Sequence, residues 1–140
     1  MPTHAVEAIR AHGREAYPEE CCGALLGTIE NGQTRVARIE RMGNAREDER
    51  WHRYAIEPLD YLRVEKAASA QGLGLIGFYH SHPDHPAAPS EYDREHAFPF
   101  FHYLVLAVAS GEPGELTAWI LSEDRGRFES EPLAVAESGD

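Results

Sequence analysis

The stretch Leu73 to His80, LGLIGFYH, constrains this chain more than any other. It is an apolar run of strand length, preceded by Gly72 and followed by Pro83, Pro86 and Pro89. Such a run fits a strand covered on both faces, in the middle of a sheet. The prolines forbid a helix directly after it, so the chain must leave the sheet through a stiffened loop. That loop and its edges hold three histidines and two aspartates in FYHSHPDHPAAPSEYD, Phe78 to Asp93.

The elements around this strand are mixed. Residues 4–16 read as an opening helix with Val6, Ile9 and Ala16 as a partial apolar stripe, stopped by Pro18. Cys21 to Ile29 reads as a buried strand. Asn31-Gly32 is a strong hairpin signal, and TRVARIER alternates at period two as the partner strand. Gly43 to Arg53 reads as a charged surface loop, followed by a short extended piece, Tyr54 to Ile56. Pro58 suits the first turn of a second helix, in which Leu59, Leu62, Val64 and Ala67 supply the apolar positions and Gly72 the stop. A short helix is expected near Ser90, then strands over FHYLVLAVAS and ELTAWILSE and an edge strand within 126–136. A central sheet packed by helices, an α/β (α+β) arrangement, is the economical result. The chain of 140 residues suits one domain over 1–136 with a fraying tail at 137–140.

Composition removes several functions. A formal net charge of −11 argues against nucleic acid, whose phosphates need clustered Lys and Arg. No apolar run reaches about 18 residues, and Met1 to Arg10 lacks the cationic and apolar parts of a signal peptide, so a cytoplasmic protein away from membranes is expected. The only cysteines, Cys21 and Cys22, are adjacent, which disfavours a disulfide scaffold.

His80 and His82 stand two apart at the end of the central strand. Side chains at i and i+2 project to one side of an extended chain, so two imidazoles aim at one point. The loop can return Asp93 to the same place. Two neutral imidazoles and one carboxylate suit Zn²⁺ with a fourth position open to water, the catalytic form of a zinc site. Water bound there has its pKa lowered towards about 7. A hydrolase of this kind also needs a proton acceptor, and PEECCG at the entry to the first strand offers Glu19 and Glu20. Neighbouring side chains diverge, so only one of the two faces the site. His85 is the rival ligand, though Pro86 constrains it and a surface role fits better. His96, three residues past Asp93, and His102, at the start of a strand, read as surface and structural histidines. SEYD also reads as a capping box, Ser90 capping a helix and Asp93 answering from its third position.

HSHP followed by Ser90 and Asp93 resembles the JAMM (MPN+) metalloprotease signature, H-[ST]-H-x7-S-x2-D, with the seven residues Pro83 to Pro89 filling the gap. Upstream, Glu20-Cys21-Cys22-Gly23 resembles the family's Glu before a Cys-Gly strand. The likeness runs through roughly residues 5 to 122. It implies an MPN (JAB) fold, a cytidine-deaminase-like mixed sheet flanked by helices, and one zinc per chain held by His80, His82 and Asp93. It implies Glu20 as proton shuttle and Ser90 as support for the tetrahedral intermediate. It also implies a zinc peptidase or isopeptidase that cuts after the C-terminal Gly-Gly of a ubiquitin-like or sulfur-carrier partner. A Gly-Gly tail suits a narrow cleft, since only backbone without side chains can thread it. The rivals are a zinc amidohydrolase acting on a small molecule and a non-catalytic MPN scaffold. The deaminase pattern H-x-E with P-C-x-x-C is missing, and scaffolds usually lose a ligand that this chain keeps. Oligomeric state leaves no trace in the sequence.

Overall fold

The structure is a computed structural model, and it describes residues 1–43, 58–98 and 100–135. The expected charged loop and the extended piece Tyr54 to Ile56 lie outside the described residues, apart from Gly43. The element order is α1 (Thr3–Ala16), β1 (Cys22–Glu30), β2 (Gln33–Met42), α2 (Pro58–Ala70), β3 (Gly74–Pro83), α3 (Glu91–His96), β4 (His102–Ala109), β5 (Glu112–Leu121) and β6 (Phe128–Glu131).

The strands form one sheet in the order β2-β1-β3-β4-β5-β6. The run singled out from the sequence is β3, and it lies inside the sheet as expected, with β1 antiparallel on one side and β4 parallel on the other. It continues through both histidines to Pro83, past the end expected at His80. All other neighbouring pairs are antiparallel. The parallel pair requires a crossover, which the proline-rich loop and α3 supply. The β1–β2 hairpin turns at Asn31 and Gly32 with φ of 51° and 75°, the two left-handed residues that a tight hairpin demands.

Alternation along the strands splits the core into two layers. Cys21, Leu25, Tyr79, Leu104 and Leu106 pack with Ile9 of α1 on one face. Cys22, Ala24, Leu26, Phe78 and Tyr103 pack with Val64 and Ala68 of α2 on the other. Each large apolar side chain so buried contributes about 1.5–3 kcal/mol relative to exposure. Helix α1 buries Ala5, Val6, Ile9 and Gly13, a stripe close to the expected one. Helix α2 departs from expectation: Val64 and Ala68 are buried, while Leu59 is 75% and Leu62 50% exposed. The helix meets the sheet through Tyr61, Val64 and Ala68, a row at spacings of three and four, which rotates the leucines outward. The last strand covers four residues, Phe128–Glu131, within the longer span expected. No helix among the described residues is long and apolar enough to cross a membrane.

Candidate metal centre

Strand β3 delivers the two imidazoles. His80 and His82 lie on the α2 side of the sheet, alternating with the buried Tyr79 and Ser81. Their Nε2 atoms are 3.1 Å apart. Asp93 arrives from α3, and its Oδ2 lies 3.1 Å from each Nε2. The three donor atoms therefore form a nearly equilateral triangle. Tetrahedral ligands at zinc–ligand distances near 2.0–2.1 Å sit about 3.3 Å from one another, so this triangle has the size that such an ion needs. All three residues are buried, at 1%, 7% and 7% exposure.

His82 and Asp93 are each aimed by a neighbour. His82 Nδ1 lies 3.0 Å from the Pro86 carbonyl oxygen, to which it donates, leaving the Nε2 lone pair facing the triangle. Ser90 caps α3 with its Oγ accepting from the Asp93 N–H at 3.1 Å, and the Ser90 N–H donates to Asp93 Oδ2 at 2.8 Å. The capping box read from SEYD is present. It fixes the carboxylate as well as the helix start. The proline loop is tied to β5 where the Thr117 hydroxyl donates to the Ala87 carbonyl at 2.5 Å. Helix α3 is tied to the β5–β6 turn by Arg94 donating to the Arg125 carbonyl at 2.7 Å.

Electrostatics follow the geometry. Burial opposes the Asp93 charge, but the imidazoles of His80 and His82 and the Ser90 N–H outweigh it and hold the carboxyl far below its usual range. Burial likewise opposes a charged His82, yet the Asp93 carboxylate beside it raises its pKa overall. Such mutual stabilisation marks a site that prefers positive charge next to Asp93, which a divalent cation also supplies.

Glu20 completes the constellation. It is buried at 5% exposure, whereas Glu19 is exposed, so the two neighbours diverge as period-two geometry requires and Glu20, the one the family resemblance implied, is turned inward. Donor atoms of Glu20, His80 and His82 all lie within 4.8 Å of one another. Cys22, two residues on, is directly opposite His80 across the β1–β3 ladder and wholly buried. Burial pushes its thiol pKa up, so it is an inert wall.

Among the described residues no further histidine joins that donor group. His85 is exposed and joins no donor cluster among the described residues. His96 stacks on Tyr92 with ring centroids 4.0 Å apart. His102 bridges Thr34 and Glu131 at 2.9 and 2.7 Å, a structural link between β2, β4 and β6. His12 packs on the other face, 2.7 Å from the Tyr79 hydroxyl.

One feature escaped the sequence reading. A cavity of about 620 Å³ opens beside Asp93, between α2 and α3, walled chiefly by Tyr61, Leu62, Phe78, Tyr92, Phe98 and Phe101. The aromatic density of Phe98 to Tyr103 was its signal.

The family described as prokaryotic homologs of the JAB domain matches residues 2–122. This chain belongs to that family. The sheet and its helices thus have the JAB/MPN fold that the sequence implied. A desampylase of Haloferax volcanii is 32% identical over 110 residues, 75% of this chain and 77% of the relative. A CysO-cysteine peptidase of Mycobacterium tuberculosis is 30% identical over 133 residues, 94% of this chain and 87% of the relative. The solution structure of a Salinibacter ruber protein matches with a TM-score of 0.76 at 44% identity, covering 99% of this chain and 94% of that one.

Proposed function

We propose that this JAB-family chain is a zinc-dependent peptidase that hydrolyses the amide bond following the C-terminal Gly-Gly of a ubiquitin-like or sulfur-carrier protein. The observation that carries this reading is the 3.1 Å triangle of His80, His82 and Asp93 with the buried Glu20 carboxylate facing it. The named activities of the desampylase and the CysO-cysteine peptidase support the substrate class.

His80, His82 and Asp93 would hold one zinc, which supplies a Lewis acid for the scissile carbonyl and lowers the pKa of water at the open position. Glu20, whose donor atom lies within 4.8 Å of those of His80 and His82, would accept the proton of the attacking water and return it to the leaving amine. Ser90 keeps its hydroxyl hydrogen while its oxygen accepts the Asp93 N–H, so it can donate to the oxyanion as charge develops. The aromatic cavity gives room for a bulky apolar side chain of the tail, while the glycines pass the crowded metal centre.

Incubation of the zinc-loaded protein with Gly-Gly-tailed ubiquitin-like and sulfur-carrier fusions, read by intact mass, tests this. The expected product ends at the second glycine. A zinc-loaded protein that leaves the whole panel uncut would overturn the reading in favour of a small-molecule amidohydrolase or a scaffold.

A further inference from the structure

The segment that carries Glu20 and the loop that leaves His82 are tied together twice. The inner tie is buried: the Cys21 N–H donates to Ser81 Oγ at 2.9 Å, and the Ser81 N–H donates to the Cys21 carbonyl at 3.1 Å. The outer tie centres on Asp84. Its Oδ2 accepts the Tyr17 hydroxyl at 2.7 Å, and its Oδ1 accepts the Ser110 backbone N–H at 2.7 Å. Its own N–H donates to the Val108 carbonyl at 2.7 Å.

Asp84 therefore joins three pieces of chain: the end of α1, the exit of β3 and the β4–β5 turn. Its position in sequence gives the junction its meaning. Tyr17 precedes Glu20 by three residues, and Asp84 follows His82 by two. A single side chain thus spans from the proton acceptor's segment to the ligand's loop. Asp84 also adopts φ of +57°, a left-handed conformation uncommon outside glycine. Such a conformation persists where surrounding contacts over-determine it, here through the three hydrogen bonds. Asp84 is exposed, and Tyr17 is half-buried with its ring against the α1-side core, so Tyr17→Phe keeps the packing and removes only the hydroxyl.

We propose that Tyr17 and Asp84 are positioning residues whose clasp sets the separation between Glu20 and His82. This rests on the zinc-peptidase reading above. The clasp acts on two links. Through Pro83 it steadies the loop whose Pro86 carbonyl orients the His82 ring. Through Tyr17 it holds the short segment from which Glu20 enters β1.

The test compares Tyr17→Phe, Asp84→Ala and Asp84→Asn. Zinc affinity is measured by competition with a chromogenic chelator, alongside kcat and KM on a cleaved Gly-Gly fusion and thermal midpoints. Asp84→Ala is expected to weaken zinc binding about tenfold, the scale typical of groups that orient metal ligands. It should lower kcat with KM nearly unchanged. Asp84→Asn keeps an oxygen for Ser110 and offers its amide to the Tyr17 oxygen, so it restores most of both. Tyr17→Phe leaves the Ser110 contact intact, so kcat falls several-fold while zinc affinity holds. Parent-like zinc affinity and kcat in Asp84→Ala and Tyr17→Phe, with only a lower thermal midpoint, would overturn the clasp alone. A parent protein that binds no zinc, or a fully active Glu20→Gln, would overturn the zinc-peptidase reading and the clasp with it.

Discussion

His82 donates from Nδ1 to the carbonyl oxygen of Pro86, four residues further along the chain, at 3.0 Å. This contact turns a flexible imidazole into a fixed donor, because the ring cannot flip without losing the bond to a carbonyl that the Ala88 N–H also holds in place at 2.9 Å. Removing either imidazole of the triangle leaves two donors for an ion that needs three. Metal analysis of the purified protein is expected to give about one zinc per chain, falling to a small fraction in His80→Ala and His82→Ala. Full zinc content in both variants would place the ion elsewhere.

Glu20 is expected to separate binding from chemistry. Glu20→Gln keeps the size of the side chain and the three donors, so zinc content stays near one per chain. The loss of a general base costs about 10²–10⁴-fold in kcat. The measurement is single-turnover cleavage at saturating enzyme. Retention of the parent rate would remove Glu20 from the proton path.

Ser90 has a structural duty that can be weighed separately. Ser90→Ala deletes the Oγ that accepts the Asp93 N–H, and loss of such a cap costs about 1 kcal/mol. The backbone N–H of residue 90 still donates to Asp93 Oδ2, so zinc binding should survive. Urea unfolding monitored by circular dichroism reads the stability change. A kcat loss much beyond tenfold with zinc retained would show the hydroxyl acting on substrate as well.

Gly23 faces Tyr79 across the β1–β3 ladder, and a methyl group there would lie 2.2 Å from the Tyr79 ring carbon Cε1. The ring is wholly buried against α1, so it has little room to retreat. Gly23→Ala is expected to destabilise the fold by about 1–3 kcal/mol, the range for overpacking a core. Because Tyr79 adjoins His80, the same variant should also weaken zinc binding, which chelator competition would reveal.

His12 makes stability depend on acid. Burial, then the charge of Arg41, lower its pKa from 6.5 to about 4, with Glu15 partly offsetting. The folded state thus prefers a neutral imidazole facing the Tyr79 hydroxyl. The contribution is complete above pH 6.5 and is lost as pH falls towards 4, because the unfolded chain binds the proton more readily in that window. His12→Gln should flatten part of this loss when urea midpoints are compared at pH 7 and 4.5. An unchanged slope would mean that other groups carry the acid sensitivity.

The parts legible in the sequence were those whose local rule coincides with the global need. The apolar run of β3 needed cover on both faces, and the same period-two geometry that buried it aimed His80 and His82 together. Ser90 and Asp93 could be read because one local motif both caps the helix and fixes the carboxylate. Alternation allowed only one of Glu19 and Glu20 to face the site, and the family resemblance named Glu20. The adjacent cysteines have a plain account in the same alternation: Cys21 packs on the α1 face and Cys22 on the face of the metal centre.

Other parts were hidden because several answers satisfy the local pattern. In α2 the leucines and the row Tyr61, Val64, Ala68 both fit a helical period, and only docking on Phe78 and Tyr103 decides between them. The aromatic cavity joins residues more than forty positions apart, and no local periodicity encodes it. The Tyr17–Asp84 contact is a tertiary event of the same kind.

Strand β3 is laddered on both sides, antiparallel to one neighbour and parallel to the other. A slip of one residue would swing both imidazoles to the opposite face and present Tyr79 and Ser81 in their place. The pair of nitrogens is consequently all-or-none at the level of the strand: a correctly registered chain offers both, and a misregistered one offers neither. Leu62 and Phe98, exposed on the rim of the cavity, lie off that ladder and escape its constraint.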